Sequence, residues 1–230
     1  MDKEDSMKTK PPIIIVGHYG SGKTEFVVNY ARNLKRKGED VTIADMDIVN
    51  PYFRAREFQE QLRNEGIEVI SSNFERDPHV DTPAMAASIK MCFQPSSLQN
   101  LMDVGGDPSG ANVLALYAHN LKNRDYHMWI VVNANRPKTS TTEGVQFYIN
   151  QIEQMSKLKI NGIINATHML RETGIEDVIK GDKLVREISN TNGIPVKYTV
   201  FQKELESDIN NLDLAGELFP IDLGVMPEWM

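Results

Sequence analysis

The stretch Ile13–Thr24, with the sequence IIIVGHYGSGKT, decides the fold. Its apolar run is typical of a buried strand, and residues Gly17–Thr24 match the pattern G-x-x-x-x-G-K-[ST] in full, directly before a helical pattern. Glycines in such a loop let successive amide N–H groups point inward around a phosphate, and the helix that follows adds the positive end of its dipole. The sequence therefore predicts a strand, a phosphate-binding loop and a helix, in that order.

The residues of this loop have distinct expected roles. The ammonium group of Lys23 is expected to reach the β- and γ-phosphates of a nucleotide as a catalytic group, and the Thr24 hydroxyl is expected to ligate Mg²⁺. The predicted nucleotide-binding residues of the segment are Gly17, Gly20, Ser21, Gly22, Lys23, Thr24 and Glu25. The alternative, a glycine-rich turn that holds no ligand, is disfavoured by the strand and helix patterns on either side of the loop.

Two later strand ends supply carboxylates. Asp45 and Asp47 end the run VTIADMD, and Asp103 ends the run LMD before two glycines. Because ligands bind outside the carboxyl ends of strands in open α/β sheets, all three acids are expected to face the same crevice as the phosphate loop. Asp103 is the candidate metal-holding acid beside Thr24, Asp45 could hold the water shell of the metal, and Asp47 could orient the hydrolytic water. The alternative is that Asp45 and Asp47 serve as turn or helix-cap residues.

Short β-rich runs alternate with longer helical patterns along the chain. The predicted strands are 13–16, 41–45, 68–70, 101–104, 128–133, 159–165 and 196–200, and the predicted helices are 23–37, 111–121, 142–155 and 182–188. Several strand runs are apolar throughout, as expected for parallel strands that are covered on both faces. The alternation predicts an α/β fold with a doubly wound, mostly parallel sheet of about seven strands and helices on both faces.

Length and composition bound the class of protein. The chain has 230 residues, of which 40% are hydrophobic and 25% are charged, and its net charge is −7. We expect one globular domain over residues 11–230 behind a flexible tail of residues 1–10. The acidic balance disfavours nucleic acid as a partner. The chain starts without a secretory signal, and its apolar runs are far shorter than a membrane helix, so a cytoplasmic protein without membrane contact is expected.

Three segments give the chain a family resemblance. They are GHYGSGKT at Gly17–Thr24, DMDIVNP at Asp45–Pro51 and DVGGDPSG at Asp103–Gly110, and they resemble the deviant-Walker ATPases of the MinD/ParA type, also called the CobQ/CobB/MinD/ParA nucleotide-binding group. The resemblance implies a doubly wound P-loop sheet, ATP with Mg²⁺, and hydrolysis coupled to dimerisation or to docking of a partner. It also implies that Asn165 contacts the adenine and that the segment Thr199–Lys203 lies along the base.

The loop departs from this family at one position. MinD/ParA proteins usually carry a second lysine early in the loop, which crosses a dimer interface, whereas His18 and Tyr19 follow Gly17 here. A neutral histidine supplies much less stabilisation of transition-state charge than a fixed cation. Arg54, Arg56 or Arg136 could replace the missing charge, although the expected environment of each is the solvated surface.

Other residue patterns narrow the choice of nucleotide and of metal. The segments Asn133–Arg136 and Asn165–His168 do not supply the N-K-x-D pattern with which GTPases usually recognise guanine, so ATP is favoured over GTP. The five histidines are scattered without metal-ligand spacing, so no zinc site is expected. The single cysteine, Cys92, is expected in the core.

The sequence as a whole predicts an ATPase. We expect a P-loop protein that binds ATP and ADP, hydrolyses ATP slowly with Mg²⁺, and uses its nucleotide state to engage an unidentified protein partner or a second copy of itself. Two alternatives on the same scaffold remain open. One is a small-molecule kinase or ATP-dependent ligase similar to dethiobiotin synthetase, and the other is a nucleotide-gated adaptor that binds ATP without cleaving it.

Overall fold

The computed structural model describes residues 9–46, 58–71, 82–94, 96–105, 108–121 and 124–224. Eight strands in these ranges form one sheet. They are β1 (Ile13–Val16), β2 (Val41–Met46), β3 (Glu68–Ser71), β4 (Gln99–Val104), β5 (His127–Val132), β6 (Gly162–Asn165), β7 (Val196–Gln202) and β8 (Glu217–Ile221). The seven predicted strands are all present, with bounds that differ by a few residues.

All pairs of neighbouring strands run parallel, in the order β3-β2-β4-β1-β5-β6-β7-β8. This confirms the predicted α/β fold with a doubly wound parallel sheet. The chain winds outward in both directions from the centre of the sheet, so the carboxyl end of β1 lies at a topological switch point. The eighth strand, β8, was not predicted because it contains Pro220, which is compatible with the edge position that β8 holds.

Seven α-helices accompany these strands in the described ranges. They are α1 (Lys23–Arg36), α2 (Gln59–Asn64), α3 (Thr82–Cys92), α4 (Pro108–Leu121), α5 (Thr142–Ser156), α6 (Ile175–Asn192) and α7 (Glu206–Ile209). The four predicted helices are α1, α4, α5 and the second half of α6. Helix α3 was missed because prolines and mixed polarity interrupt its sequence, yet Pro83 lies in the first turn, where a helix tolerates proline.

Two apolar layers cover the sheet. On one face α4, α5 and α6 bury a large cluster that includes Leu114, Ile149 and Val185. On the other face α1 packs through Phe26 and Ala31 against the sheet. Aromatic rings from α1 contact aromatic rings from three strands. Phe26 and Tyr30 belong to α1, Trp129 to β5, Tyr198 to β7 and Phe219 to β8. The start of α1 is therefore held by aromatic packing against the sheet as well as by the glycine loop.

Three further predictions concern Cys92, the N-terminal tail and membrane-spanning helices. Cys92 is a buried core residue, and burial raises the pKa of its thiol to about 11. Lys10 pairs its backbone with Ser96 and its side chain with Glu39, and residues 1–8 of the predicted tail lie outside the described ranges. In the part of the chain that the structure describes, no helix combines the length and the apolar character needed to cross a bilayer.

Candidate functional site

The glycine loop joins the end of β1 to the start of α1 in a strained, compact path. Gly17 has φ of +145°, and a Cβ there would lie 2.5 Å from the carbonyl oxygen of Val131 on β5. Gly20 and Gly22 also have positive φ values, of 70° and 91°, and Gly22 is the N-cap of α1. Other residues rarely adopt such conformations, so the loop keeps its shape only because glycine stands at these positions.

The loop surrounds a buried lysine. Only 6% of Lys23 is exposed, and its Nζ lies 3.3 Å from the carbonyl oxygen of His18, to which it donates a hydrogen bond. The side chain thus folds back across the loop from the first position of α1. Ser21 is fully buried inside the same loop, and its Oγ makes no hydrogen bond with any residue of the described ranges. The predicted loop residues are therefore brought together around one polar interior.

A buried hydrogen bond connects this loop to β4. Thr24 Oγ1 donates to Asp103 Oδ2 over 2.7 Å, and 8% of Thr24 and none of Asp103 is exposed. Asp45, also buried, is the residue of β2 that pairs directly with Asp103 in the sheet, so both carboxylates extend from the same face. One hydroxyl and two carboxylates form the hard oxygen donor set that suits Mg²⁺.

Part of the predicted chemistry falls on residues that are not described. Asp47, the candidate for placing the hydrolytic water, lies outside the described ranges, as do Arg54, Arg56 and Gly106. Among the residues that are described, no group of three or more His, Cys, Asp or Glu side chains is close enough to hold a metal ion. The candidate metal site is therefore the pair of oxygen donors from Thr24 and Asp103.

His18, which stands near the position of the extra lysine in MinD/ParA proteins, contacts α5. Its ring meets the ring of Tyr148 edge-on, with the centroids 5.0 Å apart. Burial lowers the pKa of His18, the carbonyl of Tyr19 opposes this shift, and the nearby cations Lys138, Lys23 and Arg136 lower it further. Burial and the nearby cations therefore favour the neutral form of the imidazole.

Arg136 corrects one expectation from the sequence. Its expected place was the solvated surface, but its Nε donates a hydrogen bond of 2.9 Å to the carbonyl oxygen of Gly20. A Cβ on Gly20 would lie 3.0 Å from the same Nε, so the guanidinium rests directly on the loop. The residue reaches this place because β5 runs beside β1, which puts the turn after β5 next to the glycine loop.

A cavity of about 290 Å³ opens beside the loop. One wall consists of the loop and the first turn of α1, and the opposite wall consists of the segment that follows β6 together with the carboxyl ends of β7 and β8. Its apolar lining includes Val200, Phe201, Ile221 and Leu223. The segment Thr199–Lys203, which the family resemblance places along the base, contributes to this wall. Glu25 also lines the cavity, and its Oε1 accepts hydrogen bonds from Asn29 and from the amide of Gly224.

Asn165 lies behind the cavity wall. It is fully buried, its Nδ2 donates to the carbonyl oxygen of Val178, and its Oδ1 accepts from the amide and the hydroxyl of Thr167. Thr167 Oγ1 in turn accepts from the amide of Ala134 after β5. The Asn165 side chain therefore holds the ends of β5 and β6 and the start of α6 together, while its predicted contact with adenine stays a prediction.

His168 is a site residue that the sequence argument set aside as one of five scattered histidines. Its ring lines the cavity beside Gly22, where an added Cβ would lie 3.4 Å from Nε2. Burial, followed by the charge of Arg136, lowers the pKa of His168 to about 4, although the Gly20 backbone and Asp177 act in the opposite direction. Its place at the end of β6, three residues after Asn165, was the signal in the sequence that could have indicated it.

Comparisons with solved structures agree with this fold. FtsY from Mycoplasma mycoides aligns with a TM-score of 0.55 and 18% identity, over 83% of this chain and 59% of that one. The cell division protein FtsY from Thermotoga maritima gives 0.55 and 21%, over 83% and 61%, and chloroplast FtsY from Physcomitrella patens gives 0.56 and 16%, over 82% and 58%. The chain thus spans about three fifths of the length of these structures.

At these identities the likeness concerns the fold. The chain has the α/β fold of P-loop NTPases, with a single eight-stranded parallel sheet. The sequence matches no protein-family model and no curated protein. The P-loop class is therefore supported, whereas membership of the MinD/ParA branch and the preference for ATP stay predictions.

Proposed function

We propose that this chain binds ATP together with Mg²⁺, hydrolyses the nucleotide slowly, and uses its nucleotide state to engage a protein partner or a second copy of itself. The observation that carries the proposal is the buried 2.7 Å hydrogen bond from the Thr24 hydroxyl to the Asp103 carboxylate at the foot of the glycine loop. It joins the first turn of α1 to the end of β4. Two expected metal-site residues from distant parts of the sequence are thereby assembled at one point.

Phosphate binding follows from the backbone. The positive φ values of Gly20 and Gly22 curl the loop toward the start of α1. The first N–H groups of an α-helix point away from the carbonyl groups of that helix. The combined N–H groups and helix dipole favour an anion at this place. Lys23 adds a full positive charge that can move from the His18 carbonyl to a phosphate oxygen without leaving the loop.

Metal binding follows from the oxygen donors. A magnesium ion bound with the nucleotide would supply positive charge beside the phosphates. Thr24 and Asp103 would hold the ion, directly or through its water, because a hydroxyl and a carboxylate are ligands of the kind it prefers. Asp45 beside Asp103 would hold the outer water shell, and Asp47 retains its proposed role in placing the hydrolytic water.

Positive charge on the same chain supports turnover in the absence of the family's extra lysine. Arg136 rests on Gly20, and Lys138 lies close enough to His18 to lower its pKa. Cations in these positions stabilise negative charge that develops on a transferred phosphoryl group. The proposal therefore assigns the missing charge to Arg136 in cis, and a second copy of the chain is not required for it.

The base would enter the apolar cavity. Val200, Phe201 and Ile221 offer an apolar surface of the kind that lines small-molecule sites and against which a base could pack. ATP is preferred in the proposal because the chain lacks the N-K-x-D pattern at both strand ends where it was sought. Calorimetric titration with ATP and with GTP tests this preference.

The experiment is isothermal titration calorimetry of ATP·Mg²⁺ and GTP·Mg²⁺ with the wild-type chain, Lys23→Ala and Lys35→Ala. Lys35 is the matched control, because it lies in the last turn of α1 and pairs with Asp40 on the surface. We expect saturable ATP binding that weakens at least about 30-fold in Lys23→Ala, since one partner of a buried charge interaction is removed, and does not change in Lys35→Ala. Thermal unfolding of each variant checks folding.

The proposal is wrong if the wild-type chain binds neither nucleotide, or if Lys23→Ala binds ATP as the wild type does. Phosphate release measured across protein concentration then separates the modes of action. A rate per molecule that rises with concentration indicates assembly, and tight binding without release favours the adaptor. ADP formation that needs an added metabolite favours the kinase or ligase.

A further inference from the structure

The ring of His168 is fixed in one tautomer by its surroundings. Its Nδ1 accepts a hydrogen bond of 3.2 Å from the amide of Leu170, so the proton of the neutral ring lies on Nε2. The backbone of His168 is held as well, because Asn133 donates from Nδ2 to its carbonyl oxygen and accepts from its amide. The direction of the Nε2–H group is therefore set by β5 and by the His168–Leu170 turn.

This donor has no partner among the residues that the structure describes. His168 Nε2 is buried and makes no hydrogen bond of good geometry with a described residue. The Gly20 backbone lies near enough to favour a protonated ring, but its carbonyl oxygen already accepts a hydrogen bond from Arg136 Nε. A buried donor without a hydrogen-bond partner destabilises the fold, so its presence calls for an explanation. Nε2 lies beside Gly22, and the His168 residue lines the cavity together with the glycine loop and the apolar residues.

We propose that His168 is a nucleotide-contacting residue, whose Nε2–H donates a hydrogen bond to an oxygen of the sugar when the phosphates occupy the glycine loop. This proposal rests on the proposed function, since it concerns the same bound nucleotide. The proposal adds a residue that recognises the sugar, between the phosphate subsite and the base subsite.

The chemistry favours the sugar over the phosphates. The amides of the loop, Lys23 and Arg136 already direct positive charge at the phosphate subsite. His168 stays neutral because burial and Arg136 disfavour its charged form. A neutral N–H donor beside the loop matches the neutral oxygens of a sugar, whereas an anionic phosphate would favour a cation at this place.

The test compares His168→Phe with His168→Gln. Phenylalanine keeps the flat ring and removes the donor, whereas the amide nitrogen of glutamine can reach a position close to that of Nε2. We expect ATP·Mg²⁺ binding to weaken about 10-fold in His168→Phe, the loss of one hydrogen bond, and to recover to within about threefold of wild type in His168→Gln. His127→Phe is the matched control, because His127 is half-buried at the opposite end of β5.

Tripolyphosphate with Mg²⁺ is the second ligand in the same calorimetric titrations, because it fills the phosphate subsite and has no sugar. Its affinity should change less than about twofold in His168→Phe. Wild-type ATP affinity in His168→Phe, or an equal loss for tripolyphosphate, would overturn the role of His168. A wild-type chain that binds tripolyphosphate and ATP equally well would also overturn it, and failure of the wild type to bind ATP at all would remove the proposed function itself.

Discussion

Two sides of the crevice are held in place in different ways. On the loop side, at the end of β1, the shape comes from glycine backbone conformations and from close contact with β5, as at Gly17 and Val131. On the cavity side, at the ends of β6, β7 and β8, the shape comes from side chains that bond to one another, such as Asn165 with Thr167. Backbone geometry leaves little freedom of sequence, whereas a side-chain network can be built from many residue types. The loop side is therefore the part that a short motif can reveal.

The largest expected effect tests the loop side. In Gly17→Ala, the new methyl group would lie 2.5 Å from the Val131 carbonyl oxygen, at a φ that alanine rarely adopts. We expect the free energy of unfolding to fall by about 3 kcal/mol or more, and ATP binding to be lost with it. Urea-induced unfolding followed by circular dichroism gives the measurement.

Gly38→Ala is the control for that effect. Gly38 follows α1 with φ of +84°, and a Cβ there would meet no atom within 4 Å. Only the conformational cost remains, about 1 kcal/mol. Equal losses of stability in Gly17→Ala and Gly38→Ala would show that the contact with β5 does not constrain the loop.

The second effect tests the link between the loop and β4. Asp103→Asn keeps the size of the side chain and an oxygen that can accept from Thr24, but it removes the charge. We expect the gain in ATP affinity on adding Mg²⁺ to fall about 10-fold or more, while affinity in EDTA stays the same or rises slightly. Titrations with and without Mg²⁺ measure it.

Asp40→Asn serves as the control for Asp103→Asn, because Asp40 is exposed and pairs with Lys35 away from the loop. Its dependence on Mg²⁺ should equal that of the wild type. An Asp103→Asn protein with the full Mg²⁺ effect would place the metal ligand elsewhere, and Asp45 would then be the next residue to test.

The third effect concerns pH and the cavity side. The pKa of His168 is lowered to about 4 in the folded chain, from an ordinary value of 6.5, by burial and by Arg136, while Asp177 opposes the shift. The unfolded chain binds this proton below about pH 6.5 and the folded chain does not, so folded stability falls as the pH drops toward 4. Between about pH 7.5 and about pH 5, His168 should lower the free energy of unfolding by about 2 kcal/mol.

A comparison of the wild type with His168→Gln isolates the contribution of His168 to the pH dependence of stability. Burial lowers the pKa of His18 and His127 as well, so part of the acid sensitivity remains in the variant. We expect the urea-derived stability of His168→Gln to fall less than that of wild type by about 2 kcal/mol over the same pH interval. Parallel pH profiles for the two proteins would mean that the ring of His168 is solvated in the folded state.

The difference between the two sides also explains what the sequence could predict. The strands and the loop were predictable because apolar runs and a fixed glycine spacing reflect local physical requirements. The place of Arg136 was not, since it depends on which strands become neighbours. The place of His168 was indicated only by its distance of three residues from Asn165 at a predicted strand end. The turn after β5 touches the loop only because β5 lies beside β1 in the sheet. Strand β8 was missed because Pro220 interrupts its β pattern, although the edge of the sheet tolerates a proline.

The smallest expected effect compares two strained backbones, one on the cavity side and one remote from it. Leu170 and Lys157 have φ values of 56° and 62°, in the left-handed region that favours glycine. Lys157 is the C-cap of α5, where glycine is common, so Lys157→Gly should raise the free energy of unfolding by about 0.5–1 kcal/mol and leave nucleotide affinity unchanged. Leu170 instead contributes its side chain to the cavity.

Leu170→Gly should therefore gain less stability than Lys157→Gly, because relief of strain is offset by lost packing. Its ATP affinity should fall about two- to fivefold, since part of the apolar wall is removed. Urea unfolding and calorimetry on both variants measure the two quantities. If Leu170→Gly matched Lys157→Gly in stability and in affinity, the strained leucine would have no role in the cavity. We expect Leu170→Gly to gain stability and lose ATP affinity, and Lys157→Gly to gain stability only. That result would mean that the positive φ of Leu170 is retained because its side chain contacts the nucleotide.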